Sequence, residues 1–106
     1  MLPHRLVRHR SAAALVREKF RSIAAVRDEE PQFESIYGER MNAQELRAAV
    51  LRERMWAFVR LSGGSAVIHW YAARSVSRKR VAHMLGHELG HISDRRRSGL
   101  PEERRA

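Results

Sequence analysis

Two histidines and a glutamate stand close together in the segment His87-Glu88-Leu89-Gly90-His91. In an α-helix, His87 and His91 lie one turn apart and about 40° around the axis, so both imidazoles can reach one ion. Glu88 points about 100° away from His87, where its carboxylate can act on a water bound to that ion. The spacing therefore predicts a catalytic zinc site with His87 and His91 as ligands and Glu88 as the base.

The alternative interpretation is an amphipathic helix whose histidines are solvated or hydrogen-bonded in the core. The surrounding sequence favours the zinc site, because the motif lies on a segment with a clear apolar face and follows a strand-like run. That face consists of Val81, Ala82, Met84, Leu85, Leu89 and Ile92. Ser75 or Ser77 is the predicted N-cap of this helix.

A zinc site with two histidines needs a further protein ligand. The acidic and histidine candidates nearby are His83, Asp94, Glu102 and Glu103. His83 is eight residues from His91, and Asp94 is seven residues from His87. These separations are about 10 to 12 Å along the helix axis, too far for either residue to share one ion with both motif histidines. Gly99 and Pro101 predict a turn that brings the chain back, so the carboxylates at 102 and 103 remain candidates. Asp94 is better placed to accept the outer N–H of a ligand histidine.

The composition is that of one small domain without cysteine chemistry. A chain of 106 residues can bury one modest hydrophobic core. The absence of cysteine excludes disulfides and thiolate ligands, so a zinc site here uses His, Asp or Glu. No apolar run approaches the roughly 20 residues of a membrane span, and the apolar segment 12–16 is too short for a signal peptide. We therefore expect a cytoplasmic protein that has no membrane partner.

The charge is strongly basic, with a formal net value of +9. Residues 1–10 read MLPHRLVRHR, which predicts a basic, flexible N-terminus ahead of a single domain over residues 11–106. The excess of cations predicts weak, sequence-independent binding to nucleic acid. Aromatic residues do not alternate with the basic ones, so a base-stacking platform is not indicated.

The first predicted helix begins at Ser11, a candidate N-cap, and runs to about residue 27. Its apolar face includes Leu15, Val16 and Phe20, and the helix ends before Pro31 because proline disfavours helical geometry in the preceding residue. Residues 32–41 are then expected to form a connection that turns at Gly38.

A second helix is predicted from Asn42, which is followed three positions later by Glu45. These are the N-cap and N3 positions of a capping box, in which each side chain accepts from the other residue's backbone. The helix should run to about residue 54. Its buried stripe should consist of Leu46, Ala49 and Val50.

Two strands are predicted over residues 55–61 and 66–73, joined by a turn at Gly63-Gly64. In the second strand His69 and Tyr71 share one face, from which either could stabilise an oxyanion or pack in the core. We expect residues 66–73 to be an edge strand over the site, where an extended substrate can bind by strand addition.

Several of these features together resemble the ImmA/IrrE family of small zinc metallopeptidases, gluzincin-type members of the zincins that carry an HExxH motif. They are the hairpin, the basic cluster Arg78-Lys79-Arg80, the segment MLGHELGH over residues 84–91 and a Glu-x-x-Ala frame over 103–106. The resemblance covers residues 55–106. It implies a small zincin-like α+β domain with N-terminal helices, a short antiparallel hairpin or sheet and an active-site helix.

Carried over by position, the resemblance implies a Zn²⁺ ion held by His87, His91 and Glu103, with Glu88 as the catalytic base. It also implies hydrolysis of peptide bonds in a protein or peptide substrate. The family is typically regulatory, so a helix-turn-helix repressor is the kind of substrate expected. The cleavage site and the oligomeric state stay open.

Two other interpretations come from different classes of protein. The first is a basic module that binds nucleic acid or protein and in which zinc is structural or absent. The second is a zincin that is inactive or truncated, because the Glu-x-x-Ala frame ends at Ala106. The net charge keeps the first interpretation open, although no nucleic-acid-binding motif is visible.

Overall fold

The computed structural model describes residues 3–21, 32–34 and 40–98, apart from the side chains of Glu34, Ser62 and residues 94–98. Its elements are β1 (His4–Arg8), α1 (Ala12–Phe20), β2 (Gln32–Glu34), β3 (Arg40–Asn42), α2 (Ala43–Glu53), β4 (Met55–Ser62), β5 (Ser65–Ala72) and α3 (Arg78–Ser98). This mixture of helices and strands confirms the α+β class. None of the helices described is long and apolar enough to cross a membrane.

The hairpin predicted from the glycine turn is confirmed. β4 and β5 pair antiparallel, from Met55 opposite Ala72 to Ser62 opposite Ser65. Gly63 has φ +60°, a left-handed conformation that glycine adopts without the steric penalty of a Cβ atom. The larger sheet has the strand order β1-β5-β4, which makes β5 its central strand.

The N-terminal segment is more ordered than its charge predicts, and the expectation of a flexible stretch over residues 1–10 is wrong for His4–Arg8. These residues form β1, which pairs in parallel with β5. Ala66 donates its backbone N–H to the carbonyl of Pro3 at one end, and His9 donates to Trp70 at the other. Backbone pairing orders this strand while most of its side chains stay exposed, so its polar sequence resembles that of a solvated tail.

The sheet separates two hydrophobic clusters, one on each face. The cluster under α1 and α2 contains Ala12, Leu15, Val16, Leu46, Val50 and Phe58. The cluster under α3 contains Ala66, Ile68 and Ile92, with Leu85 and Leu89 packed against it. Because successive side chains of a strand point to opposite faces, β5 contributes to both layers.

The predicted starts of the first two helices are confirmed. The Ser11 side chain accepts from the backbone N–H of Ala14 at 3.1 Å, which caps α1. In α2 the Asn42 side chain accepts from Glu45 N at 2.8 Å, and the Glu45 carboxylate accepts from Asn42 N at 3.3 Å. The buried residues of α2 are Leu46, Ala49 and Val50, as predicted. The predicted continuation of α1 towards residue 27 lies outside the described residues.

The segment expected to be a plain connection over residues 32–41 contains two short strands. β2 and β3 pair antiparallel, with Phe33 opposite Met41. Both side chains pack against the cluster under α1 and α2, so burial of these two residues stabilises the pairing. The predicted turn at Gly38 lies outside the described residues.

The capping box makes a stability prediction. Asn42→Ala should lower the free energy of unfolding by about 1 kcal/mol, because the N–H of Glu45 loses its acceptor at the helix start. Urea unfolding followed by circular dichroism should show a lower midpoint at an unchanged slope. Gln44→Ala, at an exposed position of the same helical turn, is the matched control and should change the midpoint little. Equal effects of the two substitutions would contradict the role of the cap.

Candidate metal centre

The motif predicted from its spacing lies on one continuous helix. Ser77 caps α3, since its Oγ accepts from the backbone N–H of Arg80 at 3.2 Å; this decides between the two predicted caps. Leu85 and Leu89 pack on the sheet, and Ile92 is fully buried one turn further along. These apolar residues fix the rotation of α3 about its axis and thereby the direction in which the motif residues point.

The two motif histidines converge as predicted. His87 is exposed and His91 is half-buried, and their Nε2 atoms are 2.9 Å apart. The two rings are nearly perpendicular, with centroids 4.5 Å apart. Zinc–nitrogen bonds of about 2.0 to 2.1 Å at tetrahedral angles place two ligand nitrogens about 3.3 Å apart. The observed separation is therefore about 0.4 Å shorter than that of a chelating pair.

Glu88 is half-buried and lies between the histidine pair and the sheet. By helical angle it is about 60° from Leu85, which packs on the sheet, and about 60° from His91.

The described residues do not supply a third ligand to the motif histidines. Within the part of the chain that the structure describes, no His, Asp or Glu group of three includes His87 or His91. Glu103, the predicted ligand, and its competitor Glu102 lie outside the described residues, and so does the side chain of Asp94. The assignment of Glu103 therefore stays a prediction.

The structure corrects the two oxyanion candidates, His69 and Tyr71. Tyr71 packs against the cluster under α1 and α2, and His69 contacts Glu18 of α1. α3 covers the other face of the sheet, so a zinc ion held by His87 would be separated from both side chains by the sheet. The packing alternative is the one that the structure favours for Tyr71.

The predicted substrate strand is also corrected. Residues 66–72 belong to β5, which pairs with β1 on one side and with β4 on the other. Both backbone edges of β5 are used, so β5 cannot receive an added strand. The prediction failed because the pairing partner β1 lies in the segment that was expected to be flexible.

A group that the sequence did not indicate lies on the α1 face of the sheet. His9, Glu18 and His69 each direct a ligand atom to one place, with all three atoms within 4.8 Å of one another. Nε2 of His9 is 3.0 Å from Nδ1 of His69, and Oε1 of Glu18 is 3.7 Å from the same Nδ1. His69 is only 6% exposed. Its ring stacks on Phe58, with centroids 5.0 Å apart.

Burial governs the protonation of these two histidines. Desolvation lowers the pKa of His69 and of His9 below the usual histidine value, and the nearby Glu18 carboxylate opposes the shift without reversing it. For His69, the neighbouring His9, Arg60 and Arg21 lower the pKa further. Both imidazoles are therefore neutral at neutral pH.

No sequence signal could have brought these three residues together. His9 and His69 are 60 positions apart, and their contact depends on the parallel pairing of β1 with β5. The one local sign is that His69 lies between two apolar residues of a strand, Ile68 and Trp70. Such a residue is more often a hydrogen-bonded core histidine than a ligand.

Comparisons of this chain with models of protein families, with curated protein sequences and with solved structures found no match. The likeness to ImmA/IrrE metallopeptidases therefore depends on the HELGH motif and its flanking elements. The geometry of these residues is the basis for any functional assignment.

Zinc binding by the motif can be tested residue by residue. Zinc added to the wild-type protein at neutral pH should shift the imidazole nitrogen resonances of His87 and His91, because both coordinate through Nε2. In His87→Ala the response of His91 should be largely lost. His83→Ala removes an exposed histidine from the same helix and should leave the response intact. Unchanged His87 and His91 resonances at saturating zinc would exclude this site.

The same titration identifies the third ligand. Glu103→Ala should weaken zinc binding to His87 and His91 strongly, whereas Glu102→Ala should weaken it little. The reverse order would move the ligand by one residue. If both variants bind zinc as tightly as the wild-type protein does, neither carboxylate is a ligand.

Proposed function

We propose that the protein is a zinc-dependent endopeptidase, with His87 and His91 as zinc ligands and Glu88 as the catalytic base. The observation that carries this proposal is the convergence of the two Nε2 atoms on the outer side of α3. The HExxH spacing supplies a carboxylate next to the pair, and the chain has no thiolate that would compete for the ion. Glu103 completes the proposed ligand set.

The proposed chemistry divides between the ion and Glu88. A zinc ion held by His87 and His91 would lower the pKa of a coordinated water towards 7 and polarise the carbonyl of the scissile peptide. The Glu88 carboxylate accepts the proton of the attacking water and then passes it to the leaving amine. The half-buried position of Glu88, between the histidine pair and the sheet, keeps this carboxylate beside the reacting atoms.

The substrate would lie along β4. In the described part of the chain no strand pairs with the outer edge of β4, and α3 packs against residues of this strand. An extended peptide that hydrogen-bonds to this edge would lie beside α3. β4 therefore replaces residues 66–73 as the proposed substrate strand. A regulatory protein such as a helix-turn-helix repressor is the proposed source of that peptide, by resemblance to the family.

Glu88→Gln tests the catalytic assignment. The amide cannot accept a proton from water, so cleavage should fall by at least about a hundredfold while zinc affinity and fold stay unchanged. The assay incubates the zinc-loaded protein with a mixture of unstructured peptides and detects new termini by mass spectrometry. Glu53→Gln, an equivalent change at an exposed site on α2, is the matched control.

Two results would change this assignment. Loss of zinc in Glu88→Gln would make Glu88 a ligand. Wild-type cleavage by Glu88→Gln would remove it from the reaction.

A second candidate function is a basic binding module, and one observation favours it. Arg8, Arg10 and Arg74 line a depression at the end of the sheet, and Arg78 lines a neighbouring one. Together with the net charge of +9, this concentration of arginines would attract phosphate groups. Arg8 lies over the Trp70 ring, 5.2 Å from its centroid, so this face of the ring is already occupied by a cation.

Nucleic-acid binding should be weak and strongly salt-dependent. Each phosphate contact releases counterions, so the affinity of the protein for a mixed-sequence duplex should fall steeply as salt rises to the physiological level. Arg74→Gln should reduce the salt slope, and Arg47→Gln, at an exposed site on α2, should change it less. Fluorescence anisotropy measures both. A tight complex at physiological salt would favour the binding module over the peptidase.

A further inference from the structure

We propose that His9, Glu18 and His69 form a second metal site, specific for zinc-class transition ions and separate from the HELGH motif. The group lies on the α1 face of the sheet, whereas α3 covers the other face. Its ligands come from three different elements: the end of β1, the helix α1 and the central strand β5. Ion binding at this place would cross-link all three.

The ligand atoms are already close to coordinating distances. Tetrahedral bonds of about 2.0 to 2.2 Å keep ligand atoms about 3.3 to 3.6 Å apart. The observed separations are 3.0 Å between the two imidazole nitrogens and 3.7 Å between His69 Nδ1 and Glu18 Oε1. These two separations differ from coordinating distances by a few tenths of an ångström, and the third, between His9 and Glu18, is at most 4.8 Å.

The backbone and the neighbouring side chains hold two of the ligands in place. His9 donates its backbone N–H to the carbonyl of Trp70 at 2.7 Å, which extends the parallel ladder and places its ring beside His69. The ring of His69 is packed against Phe58, its register partner on β4. A ligand set fixed in this way loses little conformational entropy when it binds an ion.

Two arginines orient the third ligand. Arg21 and Arg60 approach Oε2 of Glu18 at 3.0 and 3.4 Å, and Arg60 also donates to the Glu18 backbone carbonyl. These contacts leave Oε1 directed towards His69. The positive charges oppose a cation at this site, so affinity must come from imidazole coordination. Zn²⁺, Ni²⁺ and Cu²⁺ meet this requirement, whereas Mg²⁺ and Ca²⁺, which depend on oxygen ligands, do not.

The site is also accessible from solvent. A depression lined by His9, Arg10 and Tyr71 opens next to the group and gives an ion a path from solvent. The ion would stabilise the fold by joining the N-terminal strand to the rest of the domain.

The test uses the full chain with His87→Ala and His91→Ala, so that the motif cannot bind metal. Co²⁺, a spectroscopic substitute for zinc, should bind at one ion per chain with the visible absorption of a low-coordinate complex, and added Zn²⁺ should displace it. Zinc should also raise the melting temperature of this variant, because the ion binds the folded state. No cobalt spectrum and no thermal shift would overturn the proposal.

Further substitutions in this background locate the ion. His9→Ala should weaken cobalt binding by at least about a hundredfold and remove the thermal shift, since it deletes a ligand. His83→Ala, at an exposed position on α3, is the matched control and should leave both unchanged. Equal effects of these two variants would overturn the assignment.

Glu18→Gln keeps an oxygen for Arg60 and supplies a second variant if His9→Ala does not fold. It should weaken cobalt binding at least about tenfold, and an unchanged affinity would remove Glu18 from the site. Because both motif histidines are absent throughout, these results do not depend on whether the protein is a peptidase.

Discussion

The two-sided pairing of β5 is the constraint on which the rest of the structure depends. β1 and β4 use both of its backbone edges, and its alternating side chains are buried on both faces of the sheet. A strand in this position requires a covering layer on each face, and the helices α1 and α2 supply one while α3 supplies the other. The period of two along β5 therefore decides which residues share a layer: Ile68 lies with α3, and His69 lies with α1.

Features of the fold that depend on neighbouring residues were predictable from the sequence. The capping box at Asn42 needs only Glu45 three positions later, and the hairpin needs only a glycine pair between two apolar runs. The convergence of His87 and His91 is local in the same sense, because one helical turn sets it whatever surrounds the helix. These interactions have short sequence separations, so residue type and spacing contain most of the information.

Features that depend on distant backbone pairing were not predictable. β1 is held by main-chain hydrogen bonds to β5, and such bonds leave little trace in side-chain identity when the side chains stay exposed. One wrong expectation led to another: with residues 1–10 taken as flexible, β5 appeared to have a free edge. The approach of His9 to His69 could not be foreseen for the same reason. A basic segment is compatible with an edge strand, because charged side chains protect such strands from further pairing.

The two histidine pairs depend on the fold in different ways. His87 and His91 belong to one helix, so a destabilised domain that keeps α3 would keep their spacing, and their chemistry depends on what lies beside the helix. His9 and His69 meet only when β1 is paired, which makes their contact a property of the complete tertiary structure. Coordination at the first pair would thus contribute mainly to reactivity and at the second mainly to stability. The sheet between them allows each to change without repacking the other, because α3 and α1 contact opposite faces of β5.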